Sequence, residues 1–375
     1  MNILFTESSL NVGGQELQSV MQMITLKDAG HSVLLACREN SKIAQEARSR
    51  GIQIAIVPFR NSLHIPSIVT LLRVIRNFLP DIIICHSGHD SNITGITRWL
   101  VSGQIGNFKI IRQKTYLAGR VKPLSLNYLC DTVIVPGNST KETLINEGCR
   151  NDIRVIPPGF DFDSMKEASC LPLPENIRAW LAQDSNIPVI LQVGMIRPEK
   201  GHAFMLEVLT RLKQQGRLFR WLIVGGGKPE AEQQLQTLIN RCGMQDIVLM
   251  TGNVSPVFPV YRIASLLVIP STNESFGMVA VEASAFSLPV MANQIGGLPD
   301  IIENGQTGTL LPVGNTDAWV SALNDFFKAP LRYRKMACHA SRFFESRFDI
   351  NRTVQKILSA GRNERNDGVS ERHFS

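Results

Sequence analysis

From Ser265 to Phe286 the sequence reads SLLVIPSTNESFGMVAVEASAF. The first five residues, Ser265–Ile269, form a short apolar run of the kind that makes a strand buried on both faces. A polar loop follows, then Gly277, then an apolar run from Met278 to Phe286 that reads as a helix. Strand, loop and helix packed into so short a stretch predict a parallel α/β unit. In such sheets, ligands bind beyond the carboxyl ends of the strands. The first N–H groups of a helix lack acceptors within it and favour anions, phosphate above all. Glu274 falls in the loop, and Glu282 falls about one turn into the helix among Val281, Ala283 and Ala285. A carboxylate in that apolar company is costly unless something pairs with it. The plainer alternative is that Glu274 caps the helix and Glu282 lies on its solvated face.

The same alternation runs through the rest of the chain. Strands are expected at Asn2–Phe5, Ser32–Ala36, Gln53–Val57, 81–86, Phe108–Arg112, 131–136 and Ile153–Ile156. Helical periodicity fills most intervals, as at Leu17–Ala29 and Ser67–Phe78. The pattern restarts with strands at Val189–Val193, Trp221–Val224, Ile247–Thr251, Leu288–Ala292 and Thr309–Pro312. Strands that alternate with helices wind into a parallel sheet covered on both faces. With 375 residues, two such domains fit the length.

Several strand ends carry polar or glycine-rich loops. Gly13-Gly14 opens a helix after the first strand and has the shape of an anion loop, although it is not G-x-G-x-x-G and is also ordinary turn chemistry. His86-Ser87-Gly88-His89-Asp90 ends another strand; its two histidines and aspartate lack a third metal-ligand motif. Arg197, Lys200 and Gly201 lie between a strand and a helix. Gly225-Gly226-Gly227-Lys228-Pro229 is not a Walker loop, because Pro229 stands where Ser or Thr is needed. Asp161-Phe162-Asp163 could hold a divalent metal, but it follows Pro-Pro-Gly and reads as a turn.

Lys and Arg number 39 against 32 Asp and Glu, a net charge of +7. Such a surface attracts nucleic acid, acidic lipid headgroups or phosphorylated substrates. The seven cysteines are scattered and form no CxxC pair, which reads as reduced cytoplasmic thiols. No signal peptide is evident, and no apolar run approaches membrane-spanning length.

The run P-S-x-x-E-S-F-G, a helix bearing the second Glu, L-P-V and then G-G-L-P-D resembles the donor half of retaining GT-B glycosyltransferases of family 4, the family with an E-x7-E motif. The resemblance runs from about Ile3 to Arg352. It implies two doubly wound Rossmann-like domains facing a cleft: residues 1–162, with about 346–360 crossing back onto them, and residues 163–345. A polar tail, 361–375, would follow. It implies transfer of a sugar from a nucleoside diphosphate sugar of UDP or GDP type, used as substrate, with no cofactor and no metal. The acceptor would be a glycan or lipid-linked hydroxyl, in synthesis of lipopolysaccharide or another cell-surface glycan. The enzyme would be cytoplasmic, touching an anionic inner membrane face peripherally and binding no nucleic acid.

By the same resemblance Glu274 contacts the donor sugar and Glu282 the ribose. Backbone groups of Ser275, Phe276, Gly277, Met278 and Val279 hold the diphosphate, with Lys200 and Arg197 as its cations. Met195 stands where members usually carry that arginine. Gly13, Gly14, Gly225, Gly226 and Asn253 line the donor. Many members carry a histidine after the strand at Phe108–Arg112; Lys114 stands there, so either it supplies a cation or the role passes to His86 or His89. Two other classes stay open: a GT-B nucleotide-sugar isomerase of the 2-epimerase type, and a non-enzymatic two-lobed sugar-binding protein.

Overall fold

The computed structural model describes residues 1–10, 13–101, 107–115, 123–183 and 187–362. The chain divides into two compact units, Met1–Gly159 together with the chain from Ile350, and Phe160–Asp349. The expected polar tail falls almost wholly outside the described residues.

The first unit contains a seven-stranded sheet. Its strands are β1 (Asn2–Glu7), β2 (Ser32–Cys37), β3 (Gln53–Ile56), β4 (Ile82–Cys85), β5 (Lys109–Gln113), β6 (Thr132–Val135) and β7 (Asp152–Val155), in the order β3-β2-β1-β4-β5-β6-β7. All pairings are parallel. Every residue of β4 is buried, as expected where helices cover both faces. Along β1, Ile3 and Phe5 enter one apolar layer while Leu4 enters the other. The helix Ile350–Gly361 belongs to this unit and closes the first of these layers through Ile350, Val354, Ile357 and Ala360. Gly159 permits that approach, since a Cβ there would stand 2.7 Å from Ile350 Cα.

The second unit contains β8 (Val189–Val193), β9 (Arg220–Val224), β10 (Val248–Met250), β11 (Leu266–Ile269), β12 (Val290–Asn293) and β13 (Thr309–Leu311), ordered β10-β9-β8-β11-β12-β13 and all parallel. Leu267 and Ile269 face one apolar layer; Leu266 and Val268 face the other. Full burial of each such side chain contributes about 1.5–3 kcal/mol.

Both sheets run outward in opposite directions from a central pair, β1 and β4 in one, β8 and β11 in the other. At such a switch point the two loops diverge and leave a crevice at the carboxyl edge. The stretch Ser265–Phe286 therefore leaves β11 beside the loop that leaves β8.

Several helices exceed what the sequence pattern showed. His89 and Asp90 are not in a strand-end loop, because a helix, Gly88–Val101, begins at once. Its buried side are Asp90, Ser91, Thr94, Gly95 and Thr97 beside Ile93 and Val101, so no apolar stripe marks it. Asp161 caps the helix Phe162–Ala168, its side chain accepting from Ser164 N. The expected loose connection beyond it instead holds a further helix, Glu175–Ala182. The polar helix Pro229–Arg241 buries only Leu235 and Ile239.

Candidate active site

In the second unit, five loops meet at the carboxyl edge of the sheet. After β8 the chain turns through Gly194, whose φ of +149° suits glycine. Pro198–Lys200 then forms a 3-10 turn closed by Gly201 at φ +71°. A Cβ at Gly201 would stand 2.3 Å from Pro270 O, so the loops after β8 and β11 lie backbone to backbone. Thr272 N donates to Glu199 O at 2.8 Å and fastens them.

This contact brings two charged side chains together. Lys200 Nζ lies 2.7 Å from Glu274 Oε2, with both side chains mostly shielded. The Lys200 stem passes over the open face of Gly194. Arg197 behaves differently: its side chain is 51% exposed, and its nearest carboxylate is that of Glu199 at 3.8 Å. His202 begins the next helix, His202–Gln214, beneath Lys200. Burial and then the Lys200 charge lower its imidazole to about 4, so it is neutral at physiological pH.

Gly296 and Gly297 support Glu274 from behind. Gly297 N donates to Glu274 O at 2.9 Å, and a Cβ on Gly296 would fall 1.9 Å from the same oxygen. The loop then passes through Ser275 and Phe276 to Gly277, which caps the helix Met278–Ser284 at φ +98°. The helix has only seven residues. What it offers an anion is the free N–H groups of its first turn, at Met278 and Val279, more than a long macrodipole.

Glu282 lies within this helix, half-buried, and Tyr261 Oη donates to its Oε2 at 2.6 Å. Burial pushes the carboxyl up, partly offset by the Tyr261 hydroxyl. Tyr261 is fixed in turn by stacking on Phe286, centroids 5.7 Å apart and planes 8° from parallel. Further along the edge, Gly225 fits against Gly194, where a Cβ would be 2.1 Å from the carbonyl oxygen. Gly226 N donates to Asn253 Oδ1 at 2.9 Å.

The first unit gathers a buried polar cluster at its own switch point. Glu7, at the end of β1, accepts from Ser9 N, Ser87 Oγ and Gln15 Nε2. Asp90 accepts from Thr6 Oγ1 at 2.7 Å, Ser8 Oγ at 3.3 Å and His86 N at 3.2 Å. Burial and the neighbouring Glu7 charge raise its carboxyl to about 7. The His86 ring is buried and stacked on Phe5. Its Nε2 is 2.8 Å from Ser19 Oγ and 3.2 Å from Gln113 Oε1, and its Nδ1 is 3.3 Å from Thr6 O. His89 is exposed and meets Ser62 Oγ at 3.0 Å. Lys114 follows β5, half-buried. Gly13 and Gly14 start the helix Gly14–Asp28, where Glu16 reaches back to Gly13 N at 2.7 Å.

The second unit thus brings Lys200, Glu274, Ser275–Val279, Glu282, Gly225, Gly226 and Asn253 to one sheet edge. His86, Lys114, Gly13 and Gly14 belong to the first unit. Tyr261 and His202 carry no sequence signal of their own, because each matters through contacts distant along the chain; Gly296-Gly297 belongs to the G-G-L-P-D run, but its contact with Glu274 is not legible there.

The sequence of each half matches a family model. Residues 12–164 match Glycosyltransferase Family 4, and residues 175–342 match Glycosyl transferases group 1. Both units are glycosyltransferase domains. A D-inositol 3-phosphate glycosyltransferase of Rhodococcus erythropolis is 32% identical over 235 residues, covering 60% of this chain and 52% of that protein. Another from Streptomyces avermitilis is 34% identical over 211 residues, 53% of this chain and 44% of that protein. The chain thus spans about half the length of these curated relatives. Among solved structures, Anabaena Alr3699/HepE in complex with UDP and glucose superposes with a TM-score of 0.81 at 20% identity, covering 96% of this chain and 99% of that one. The lipopolysaccharide outer core galactosyltransferase WaaB gives 0.74 at 19% identity, with 96% and 99% covered. The glycosyltransferase domains here have the GT-B fold. No helix among the described residues is long and apolar enough to cross a membrane.

Proposed function

We propose that this protein is a retaining glycosyltransferase that moves a sugar from a nucleoside diphosphate donor to an acceptor hydroxyl. The observation that carries the reading is the Lys200–Glu274 pair at the β8/β11 switch point, beside the helix start at Gly277. The names of the matched families and the UDP held by the HepE structures support a nucleotide sugar as the donor.

The chemistry follows from the leaving group. As the glycosidic bond breaks, negative charge grows on the diphosphate, and fixed donors aimed at it lower the barrier. Lys200 and the amides at Phe276–Val279 are such donors. Glu274 holds the Lys200 ammonium in place and offers a carboxylate to sugar hydroxyls. Glu282, steadied by Tyr261, accepts from the ribose hydroxyls. Gly225 and Gly226 let the nucleotide approach the backbone, with Asn253 beside them. Arg197 is exposed enough to turn toward the phosphates. In this arrangement cationic side chains and amides do the work of a metal, and no cofactor takes part.

In the first unit Gly13, Gly14, His86 and Lys114 serve the sugar and the acceptor. The acceptor is a glycan or lipid-linked hydroxyl, and the product is lipopolysaccharide or another cell-surface glycan. The likeness to WaaB and the basic composition favour that setting, in the cytoplasm at an anionic membrane face. The test is a panel of UDP- and GDP-sugars scored by thermal stabilisation, then by transfer to candidate acceptors. A stabilising donor whose sugar stays on the nucleotide under every acceptor condition would count against transfer and for an isomerase.

A further inference from the structure

The second unit carries a charge pattern that the donor loops do not use. Its helix Pro330–Phe348 reads PLRYRKMACHASRFFESRF. Arg332, Arg334, Lys335, Arg342 and Arg347 stand there against a single acid, Glu345. More than half of the chain's net charge of +7 therefore lies within 19 residues. Tyr333, Ala337, Ala340, Phe344 and Phe348 are buried at three- and four-residue spacing, so one side of the helix is packed along its whole length. The opposite side presents Leu331, Lys335, His339 and Arg342, flanked by Arg332 and Arg334, all of them exposed.

The acids nearby do not neutralise that side. Glu345 is taken up by Lys166 at 2.6 Å. Asp325, on the preceding helix, acts with Arg332 on the Tyr333 phenol, so it bounds the row only at its start. Arg347 folds back over the rings of Phe343 and Phe348 and donates to Asp300 O. Among the described residues, Arg334, Lys335 and Arg342 form no ion pair. Like charges held side by side repel, and an extended anionic surface relieves that repulsion. From Arg332 to Arg342 the row spans about 15 Å, too long for one phosphate and suited to several headgroups lying in a plane. Leu331, 73% exposed on the same side, offers an apolar contact to a bilayer interface. The side exposes no Phe, Tyr or Trp to stack on a base, and no Asn or Gln to read adenine.

We propose that the outer side of the helix Pro330–Phe348 docks the second unit on an anionic phospholipid surface, through Arg332, Arg334, Lys335 and Arg342 with Leu331 beside them. The docking rests on the reading above, in which the enzyme works at an anionic membrane face. None of these residues belongs to the loops assigned to the donor.

The test is flotation of the full-length protein with vesicles of phosphatidylcholine alone and of phosphatidylcholine mixed with phosphatidylglycerol, at low and at raised salt. The expected result is binding to the mixed vesicles only, weakened by salt. It should fall roughly 30-fold when Lys335→Gln and Arg342→Gln are combined. Nucleoside diphosphate affinity, measured by calorimetry on the same proteins, should not change. Arg332→Gln with Arg334→Gln repeats the test should the first pair disturb the fold. Vesicle binding by the parent chain that both double variants retain overturns the proposal and leaves the membrane setting standing. No binding to the mixed vesicles overturns both. Equal affinity for a duplex oligonucleotide at the same salt assigns the helix to nucleic acid and overturns the lipid docking. Failure of the donor assignment shows separately, as absent nucleotide binding by the parent chain.

Discussion

Tyr261 and Glu282 stand 21 residues apart in sequence and share a 2.6 Å hydrogen bond, the phenol donating to the carboxylate. The bond holds an acidic group in place inside an otherwise apolar helix start. Glu282→Ala is expected to weaken nucleotide-sugar binding by about 1–3 kcal/mol, the scale for losing hydrogen bonds to a charged group. Calorimetry on the folded variant measures it, and an unchanged donor affinity rules out the ribose role.

The same carboxylate sets a conflict between stability and binding. Burial raises its folded-state pKa above the unfolded value. Such a group stabilises the fold when protonated and loses that contribution as pH rises through its folded pKa. Glu282→Gln should therefore raise the melting temperature at neutral pH while lowering donor affinity. Thermal unfolding beside calorimetry reads both; a variant that loses stability and keeps affinity contradicts the account.

Lys200→Ala is expected to cut kcat on the order of 100-fold, with a smaller change in donor KM, because the charge it meets grows toward the transition state. Arg197→Ala should cost less, since that side chain is half exposed and loosely paired. Because Lys200 and Glu274 are in contact, their substitutions should be non-additive, with a coupling of about 0.5–3 kcal/mol in a double-mutant cycle. Additive losses would mean that the pair does not act as a unit.

Transfer should survive a strong chelator. On the proposed donor placement, Lys200 and the amides before Val279 take the role a metal would otherwise have at the diphosphate. Loss of activity on chelation, restored by magnesium or manganese, would require a metal site that these residues do not form.

Asp90 predicts a pH dependence of folding. Its carboxyl is raised to about 7 in the folded chain from the 3.8 usual for a free aspartate. Between those values the folded state binds a proton that the unfolded state has released. Stability should therefore be highest at the acid end and fall as pH rises toward 7, by up to about 1.4 kcal/mol per pH unit. Denaturant unfolding between those limits should show a flatter profile for Asp90→Asn; an unchanged slope assigns the effect elsewhere.

The Gly296 buttress gives a contrast within one residue type. A Cβ there meets Glu274 O at 1.9 Å, whereas Gly305, also at positive φ, has nothing within 4 Å. Gly305→Ala should cost about 1–2 kcal/mol of backbone strain. Gly296→Ala should cost more than that and also weaken donor binding through the displaced Glu274 loop. Equal losses in stability, with donor binding intact, would show that the loop absorbs the clash.

The strands and the loop from Pro270 to Gly277 were legible because their signals are local. Ser265–Ile269, Gly277 and Met278–Phe286 each state their conformation in residue type alone, and Lys200 precedes a glycine that only a tight turn explains. The helix Gly88–Val101 was not legible, since it packs threonine, serine and glycine against the sheet and lacks an apolar period. Asp161 looked like a turn residue because a turn and an N-cap use the same side-chain acceptor. Tyr261 and the Gly296 contact are tertiary facts; nothing near them in sequence names their partners.

The helix Ile350–Gly361 closes an apolar layer whose other members, among them Ile3, Phe5 and Ile82, lie far earlier in the chain. During synthesis the first unit must wait for this piece while the whole of Phe160–Asp349 is made. At ~5–20 residues per second the wait lasts roughly 10–40 s. Throughout it, the groove that will receive Val354 and Ile357 stays open to solvent or to a chaperone. The nascent chain is thus most exposed to aggregation before Ile350–Gly361 emerges, and loss of that helix would damage the unit that is made first.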